Sequence, residues 1–252
     1  MQQSQAILEA PRTQMPAPSD SFDSRQWLHY FQGNRLARDV TSLPPRLLIA
    51  ENLRAPLVRS LQRFQVGETG DGIHLKSYAA TTGDAEYMAC IDLFVREEQE
   101  HARLLALSLS ALGAPLLTWH WSDWAFTNLR RACGLRTAIL TLFVAEVIGR
   151  CFYEQASRQV GNGALSAMFA QLVRDEIGHL RFHTEYARRD LRRLHPAVRW
   201  FIGAAWFTLF TAGCLVFVFD HRTALRALRT SPLLFFRRAM DVFMASFDRV
   251  LR

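Results

Sequence analysis

The chain has 252 residues, half of them hydrophobic, which is enough to bury one sizeable core with an appendage and excludes a small scaffold that needs staples. Its net charge of +7 rests almost wholly on arginine, Lys76 being the single lysine. No nucleic-acid-binding motif accompanies that charge, so nucleic acid is not expected as a partner. Cys90, Cys133, Cys151 and Cys214 are widely spaced without a Cys-x-x-Cys, which argues against a disulfide framework and a thiolate metal centre and points to the cytoplasm or the cytoplasmic face of the inner membrane.

Residues 1–22 are polar, contain proline and lack an apolar core, the composition of a disordered tail and not of a secretory signal. Residues 23–55 read as a helix and linker, the helix running from 24 to about 40 and Pro44 and Pro45 following it. A bundle helix is expected from about 56 to 80 and a second from 85 to 112, with Thr82-Gly83-Asp84 as the turn between them. Gly113-Ala114-Pro115 ends the second, and a crossover leads to a third helix near Leu135. Its aromatics, Trp119, Trp121, Trp124 and Phe126, are expected to pack. Gly161-Asn162-Gly163 then separates the third helix from a fourth, from about 164 to 194, stopped by Pro196.

Residues 195–252 form an addition. Between 200 and 219 only Thr208 and Thr211 have polar side chains, and at about 1.5 Å per residue such a helix is long enough to cross a bilayer. Trp200 and the flanking arginines suit a membrane interface, while burial against the bundle or in a homodimer interface accounts for the same composition. Residues 233–251 have the spacing of an amphipathic helix that lies on a membrane surface or docks onto the protein, with Pro232 near its start.

The chemistry-bearing signal is a doubled pattern. Val95-Arg96-Glu97-Glu98-Gln99-Glu100-His101-Ala102-Arg103 and Val173-Arg174-Asp175-Glu176-Ile177-Gly178-His179-Leu180-Arg181 each contain Glu-x-x-His, a spacing that puts carboxylate and imidazole on one helix face. One such motif arises by chance, but two with matching acids and arginines are far more specific. Glu68 precedes Glu98 by 30 residues, and Glu146 precedes Glu176 by the same 30, each interval having a turn at its midpoint. If both intervals are antiparallel hairpins, Glu68, Glu98, His101, Glu146, Glu176 and His179 fall in one layer. Glu146 also interrupts an apolar run, where an unpaired carboxylate is costly and a dipositive metal removes the penalty.

Four carboxylates and two imidazoles form a hard donor set that suits iron or manganese better than structural zinc. Glu97 and Asp175 are candidates to hold a ligand imidazole in one tautomer, the other reading being solvated helix charges. His183, one turn beyond His179, reads either as an extra ligand or proton relay or as a hydrogen-bonded core histidine. Tyr153, two turns beyond Glu146, is a hydrogen-bonding or redox neighbour or ordinary packing. Glu100 is expected to face solvent. Gly149 and Gly178 leave room near the layer, for oxygen or substrate or for close helix packing.

In its ligand order, Glu, Glu-x-x-His, Glu, Glu-x-x-His over residues 56–194, the chain resembles the ferritin-like di-iron or di-manganese carboxylate proteins. The resemblance implies an all-α fold, a ferritin-like four-helix bundle with one long crossover, here with an N-terminal helix and a hydrophobic C-terminal extension. It implies two iron ions, with manganese as the alternative. Glu98 and Glu176 would bridge or chelate both, His101 and His179 would each bind one, and Glu68 and Glu146 would be terminal or bridging ligands. The implied activity is a di-iron oxygenase or oxidase that uses dioxygen on a small organic substrate, lipophilic if the apolar tail binds membrane. An external electron donor is required, because no flavin or nicotinamide motif is present. The other reading is ferroxidase, iron storage or peroxide scavenging.

Overall fold

The computed structural model describes residues 22–251, so the expected tail, apart from Phe22, lies outside the described residues. These residues form helices, with no strand among them: α1 (Ser24–Leu36), α2 (Glu51–Glu68), α3 (Ile73–Ala80), α4 (Ala85–Ala111), α5 (Trp121–Ala132), α6 (Gly134–Gln159), α7 (Gly163–Leu191), α8 (Pro196–Asp220), α9 (Arg222–Ala227) and α10 (Pro232–Leu251).

Short polar residues start two of the helices that carry the site. Asp84 caps α4 by accepting from the Tyr87 amide at 2.9 Å, and Asn162 caps α7 by accepting from the amides of Ala164 and Leu165. The turn before α7 uses Gly161 at φ +67°, a conformation that costs glycine little, and it folds α7 back along α6. Asp23 and Gln26 form a capping box at the start of α1.

The first bundle helix departs from expectation in two places. It starts at Glu51 and not at Pro56, because Leu53 is buried on the same face as Leu57 and Leu61, so the helix tolerates an internal proline to seat one more turn. It also ends at Glu68 and resumes as α3. Gly72 stands between the two at φ +68°, and a Cβ there would strike Val95 of α4, so this point of close approach requires glycine. Helix α1 stops at Leu36, short of the expected 40, where the Ala37 amide closes onto Gly33 and Asn34. The crossover contains α5, with His120 as its N-cap.

Helix α1 packs on α4, α5 lies over α6, and α10 rests on α7 and α8. The apolar helix α8 is the one described helix long and apolar enough to cross a membrane. One stripe of it, Gly203, Trp206, Phe210, Cys214 and Phe217, is buried at helical spacing. The Trp206 indole nitrogen donates to the Leu140 carbonyl at 2.9 Å and ties α8 to α6, while Trp200, Phe201, Leu215 and Phe219 remain exposed. The crossover tryptophans are exposed too, contrary to their expected role in packing, because α5 buries no residue fully and turns Phe126 inward instead.

Candidate metal centre

Helices α2, α4, α6 and α7 bring Glu68, Glu98, His101, Glu146, Glu176 and His179 to one place. One group of facing ligand atoms comes from Glu98, Glu146, Glu176 and His179, and another from Glu68, Glu98 and His101. Within each group all atoms lie within 4.8 Å of one another, and Glu98 belongs to both. His179 Nδ1 is 3.3 Å from Glu98 Oε1 and 3.3 Å from Glu146 Oε2. His101 Nδ1 is 3.5 Å from Glu98 Oε1 and 3.7 Å from Glu176 Oε1, so each of these two glutamates stands near both imidazoles.

The outward nitrogens make a crossed arrangement. His101 Nε2, on α4, lies 3.0 Å from Asp175 on α7, and His179 Nε2, on α7, lies 3.0 Å from Glu97 on α4. An Nε2–H donated to each carboxylate turns Nδ1 into the cluster, where a metal would displace any proton that it carries. Both outer carboxylates are then tied together by α1 and the residue pair following its end. Asn34 Nδ2 donates to Glu97 at 2.8 Å and to Asp175 at 2.9 Å, and Arg38 sits 2.9 Å from Asp175 and 3.6 Å from Glu97. Sequence reasoning missed Asn34 and Arg38, since neither is repeated and each meets its partners across more than 60 residues of chain.

The cluster is crowded with negative charge and resolves the crowding with protons. Burial, then Glu146 and Glu68, push the Glu98 carboxyl well above its ordinary range. Burial and Glu146 do the same to Glu176. For Glu146 burial also disfavours the charge, but a hydrogen bond from Glu176 and the charge on His179 outweigh it and hold the group at about 2. Burial would lower His179, yet Glu146, Glu176 and Glu97 together raise it well above the usual imidazole range.

Three atoms of the cluster, Glu98 Oε1, His101 Nδ1 and Glu176 Oε2, are buried and have no hydrogen-bond partner among the described residues. Orphaned acceptors facing one another in a buried site are costly unless something positive stands between them. A buried Glu and His cluster of this composition could hold a metal ion.

The neighbouring candidates separate clearly. Tyr153 donates its hydroxyl to Glu68 Oε1 at 3.0 Å, and burial followed by the Glu68 charge raises its pKa well above the usual phenol value. His183 is fully buried and neither nitrogen has a hydrogen-bond partner among the described residues, which departs from the reading as a hydrogen-bonded core histidine. It packs edge-on against Phe94, and burial lowers it to about 4, which keeps it neutral. Glu100 pairs with Arg103 at 2.6 Å, away from the cluster. Gly178 serves close packing, as a Cβ there would run into the Tyr30 ring, whereas Gly149 borders open space beside Glu176.

That open space is a cavity of about 160 Å³ between α5 and α8, which reaches the carboxylates of Glu68, Glu98, Glu146 and Glu176. Phe64, Leu142, Ile148 and Phe217 make its walls largely apolar, and Arg63 and Asp220, paired at 3.1 Å, stand at its polar side. Compared with protein-family models, with curated proteins and with solved structures, the chain matches none.

Proposed function

We propose that this protein is a ferritin-like di-iron carboxylate oxidoreductase that uses dioxygen to oxidise or hydroxylate a small organic substrate. The observation that carries this reading is the set of orphaned atoms, Glu98 Oε1, His101 Nδ1 and Glu176 Oε2, within two adjoining groups of Glu and His ligand atoms that share Glu98. Four carboxylate charges match two divalent ions, and a donor set of oxygen with two imidazoles favours iron, with manganese as the alternative. Glu98 and Glu176, each near both histidines, would be shared between the two ions, with Glu68 and His101 completing one position and Glu146 and His179 the other.

Bound there, the metals would supply electrons to dioxygen and direct the resulting oxidising power at a substrate bond. The protein's own part is positioning and exclusion. Asp175 and Glu97 hold the imidazole tautomers, Tyr153 holds one oxygen of Glu68 and keeps a proton beside it, and Phe94 and Phe64 limit water around the site. The apolar cavity reaching the carboxylates supports an organic substrate over iron storage, and an external donor would return the electrons.

Metal analysis of protein made in iron-replete cells, with oxygen uptake after reduction, tests the reading. Two irons per chain and oxygen consumption are expected, and both should vanish in Glu176→Ala with His179→Ala. Less than one metal per chain, or unchanged uptake in the double variant, would overturn it.

A further inference from the structure

The cavity opens between α5 and α8 onto a surface unlike the rest of the molecule. The ring of Phe126 on α5 lies 3.5 Å from where a Cβ on Gly213 of α8 would stand, and His120 approaches Asp220 at 3.8 Å. The two helices therefore run side by side in opposite directions with the slot between them. Val216 both lines the slot and is exposed, and beside it Phe219 on α8 and Trp124 on α5 are 70% and 61% exposed. Large aromatic and aliphatic side chains left open on two adjacent helices mark a surface that something covers.

Charge indicates what covers it. Arg199 at one end of α8 and Arg222 and Arg226 beyond its other end are at least partly exposed, as are Arg130 and Arg131 on α5, while the acidic residues of the two helices, Asp123 and Asp220, line the slot and Asp220 is paired with Arg63. Apolar side chains framed by arginine, with exposed tryptophans among them, match an anionic lipid surface. A spanning position for α8 is ruled out by its neighbours. It lies along α6, Trp206 against Leu140 and Phe217 against Phe152, through the level of Glu146. On the motif helices near that level Arg96, Arg103 and Arg174 are exposed and ion-paired, so lipid cannot surround the bundle there.

We propose that the α5 and α8 faces seat in the plane of an anionic bilayer and that the slot between them admits an apolar molecule sideways out of the lipid, its reacting end a single ring or a short alkyl segment. A dry cavity of roughly 150 Å³ holds a molecule the size of benzene, which sets the scale of the part that reaches the carboxylates. The oxidative fate of that molecule rests on the function proposed above, whereas seating and admission do not.

The test uses the full chain with vesicles of phosphatidylcholine and phosphatidylglycerol, and of phosphatidylcholine alone, carrying an alkyl diazirine dissolved in the bilayer. The protein should sediment with the anionic vesicles, more weakly as salt is added, and Arg222→Glu with Arg226→Glu should reduce partitioning about fivefold or more per arginine. Photolysis should place adducts on Trp121, Trp124 and Phe219 outside and on Leu142 or Ile148 inside. Val216→Trp, checked for native helicity and melting temperature, should remove the inner adducts and keep the outer ones. Failure to sediment at low salt, a solution dimer that protects α8 without vesicle binding, or outer labelling with no inner adduct would each overturn the assignment. Photolabelling needs no metal, so the two readings fail separately. A chain labelled in the slot but devoid of iron loses only the oxidative function, and one that consumes oxygen but ignores vesicles loses only the lipid portal.

Discussion

Replacing Asp175 by Asn tests the crossed bracing of the histidines. Asp175 accepts from His101 at 3.0 Å, from Asn34 at 2.9 Å and from Arg38 at 2.9 Å, all in a buried setting. The amide keeps the shape but removes the charge, so the imidazole loses the partner that fixes its tautomer. An outer partner of this kind is worth about 10–100-fold in metal affinity, or ~1.4–2.7 kcal/mol. Arg38, with a side chain 10% exposed, also loses its nearest carboxylate, and breaking a buried pair on one side costs ~3–5 kcal/mol. Glu97 remains 3.6 Å from Arg38 and offsets some of that loss, which places the expected cost near ~3 kcal/mol. Glu97→Gln should weaken metal binding comparably through His179, yet cost less stability, because Arg38 keeps its closer partner. Chelator competition for iron measures the affinity and urea unfolding of the metal-free protein measures the stability. A double-mutant cycle settles the direction of the bracing: Asp175→Asn should add little to the metal defect of His101→Ala but add fully to that of His179→Ala. The reverse pattern, or wild-type affinity in Asp175→Asn, would refute the crossed arrangement.

Metal removal should make stability depend on pH with a definite sign. Glu98, Glu176 and His179 have raised values in the folded, metal-free chain, so the stability they add is full below their unfolded values and is lost as pH rises through the folded ones. Glu146, held at about 2, and the depressed Asp175 contribute above their unfolded values and lose that contribution as pH falls toward the folded ones. The Tm of the metal-free protein is therefore expected to fall as pH rises above the ordinary carboxylate range while the metal-loaded protein stays level, since metal takes the place of the protons; parallel curves would contradict this. Tyr153→Phe should keep the iron, shift the optical spectrum of the site through Glu68 and cost about 1 kcal/mol in urea unfolding, and loss of iron would show that the hydroxyl does more than orient one ligand. Gly178→Ala should destabilise by ~1–3 kcal/mol, because the new methyl meets Tyr30. Tyr30→Phe in the same chain should recover part of that loss, and an Ala variant as stable as the parent would remove the close contact.

The legibility of this chain divides by range. Helix identity and the turns at Gly83 and Gly161 were readable because capping and periodicity are local, and the candidate ligands were readable because equal intervals about two turns bring residues to equal heights. The errors also have local causes. Pro56 is a favoured first helical residue, yet a buried Leu53 outweighed that preference, and the cluster of glycines after Glu68 weakens a helix without saying that Val95 forces it to break. The crossover tryptophans are exposed and not packed as expected, because aromatic composition alone does not tell a core face from an exposed one. Asn34 and Arg38 carried no signal, being ordinary polar residues at the end of a short amphipathic helix until α4 and α7 stand beside them.

The acid that precedes each motif glutamate was the least explained element of the duplication, and the paired helices supply its reason. A residue directly before a helical ligand points about 100° away from it, so Asp175 cannot share the inward face of Glu176, nor Glu97 that of Glu98. It points instead toward the neighbouring helix, where the other motif's histidine turns its Nε2. Each copy thus supplies two candidate ligands of its own and the brace for its counterpart's imidazole. A change at either acid should therefore be felt at the opposite motif's histidine, and Asn34, bonded to both acids, couples the two. Such reciprocity gives both acids a role in the two copies, whereas the intervening residues, Gln99 and Glu100 against Ile177 and Gly178, differ between them. It also places α1 where it governs both histidines at once, so displacement of that helix should loosen the two positions together.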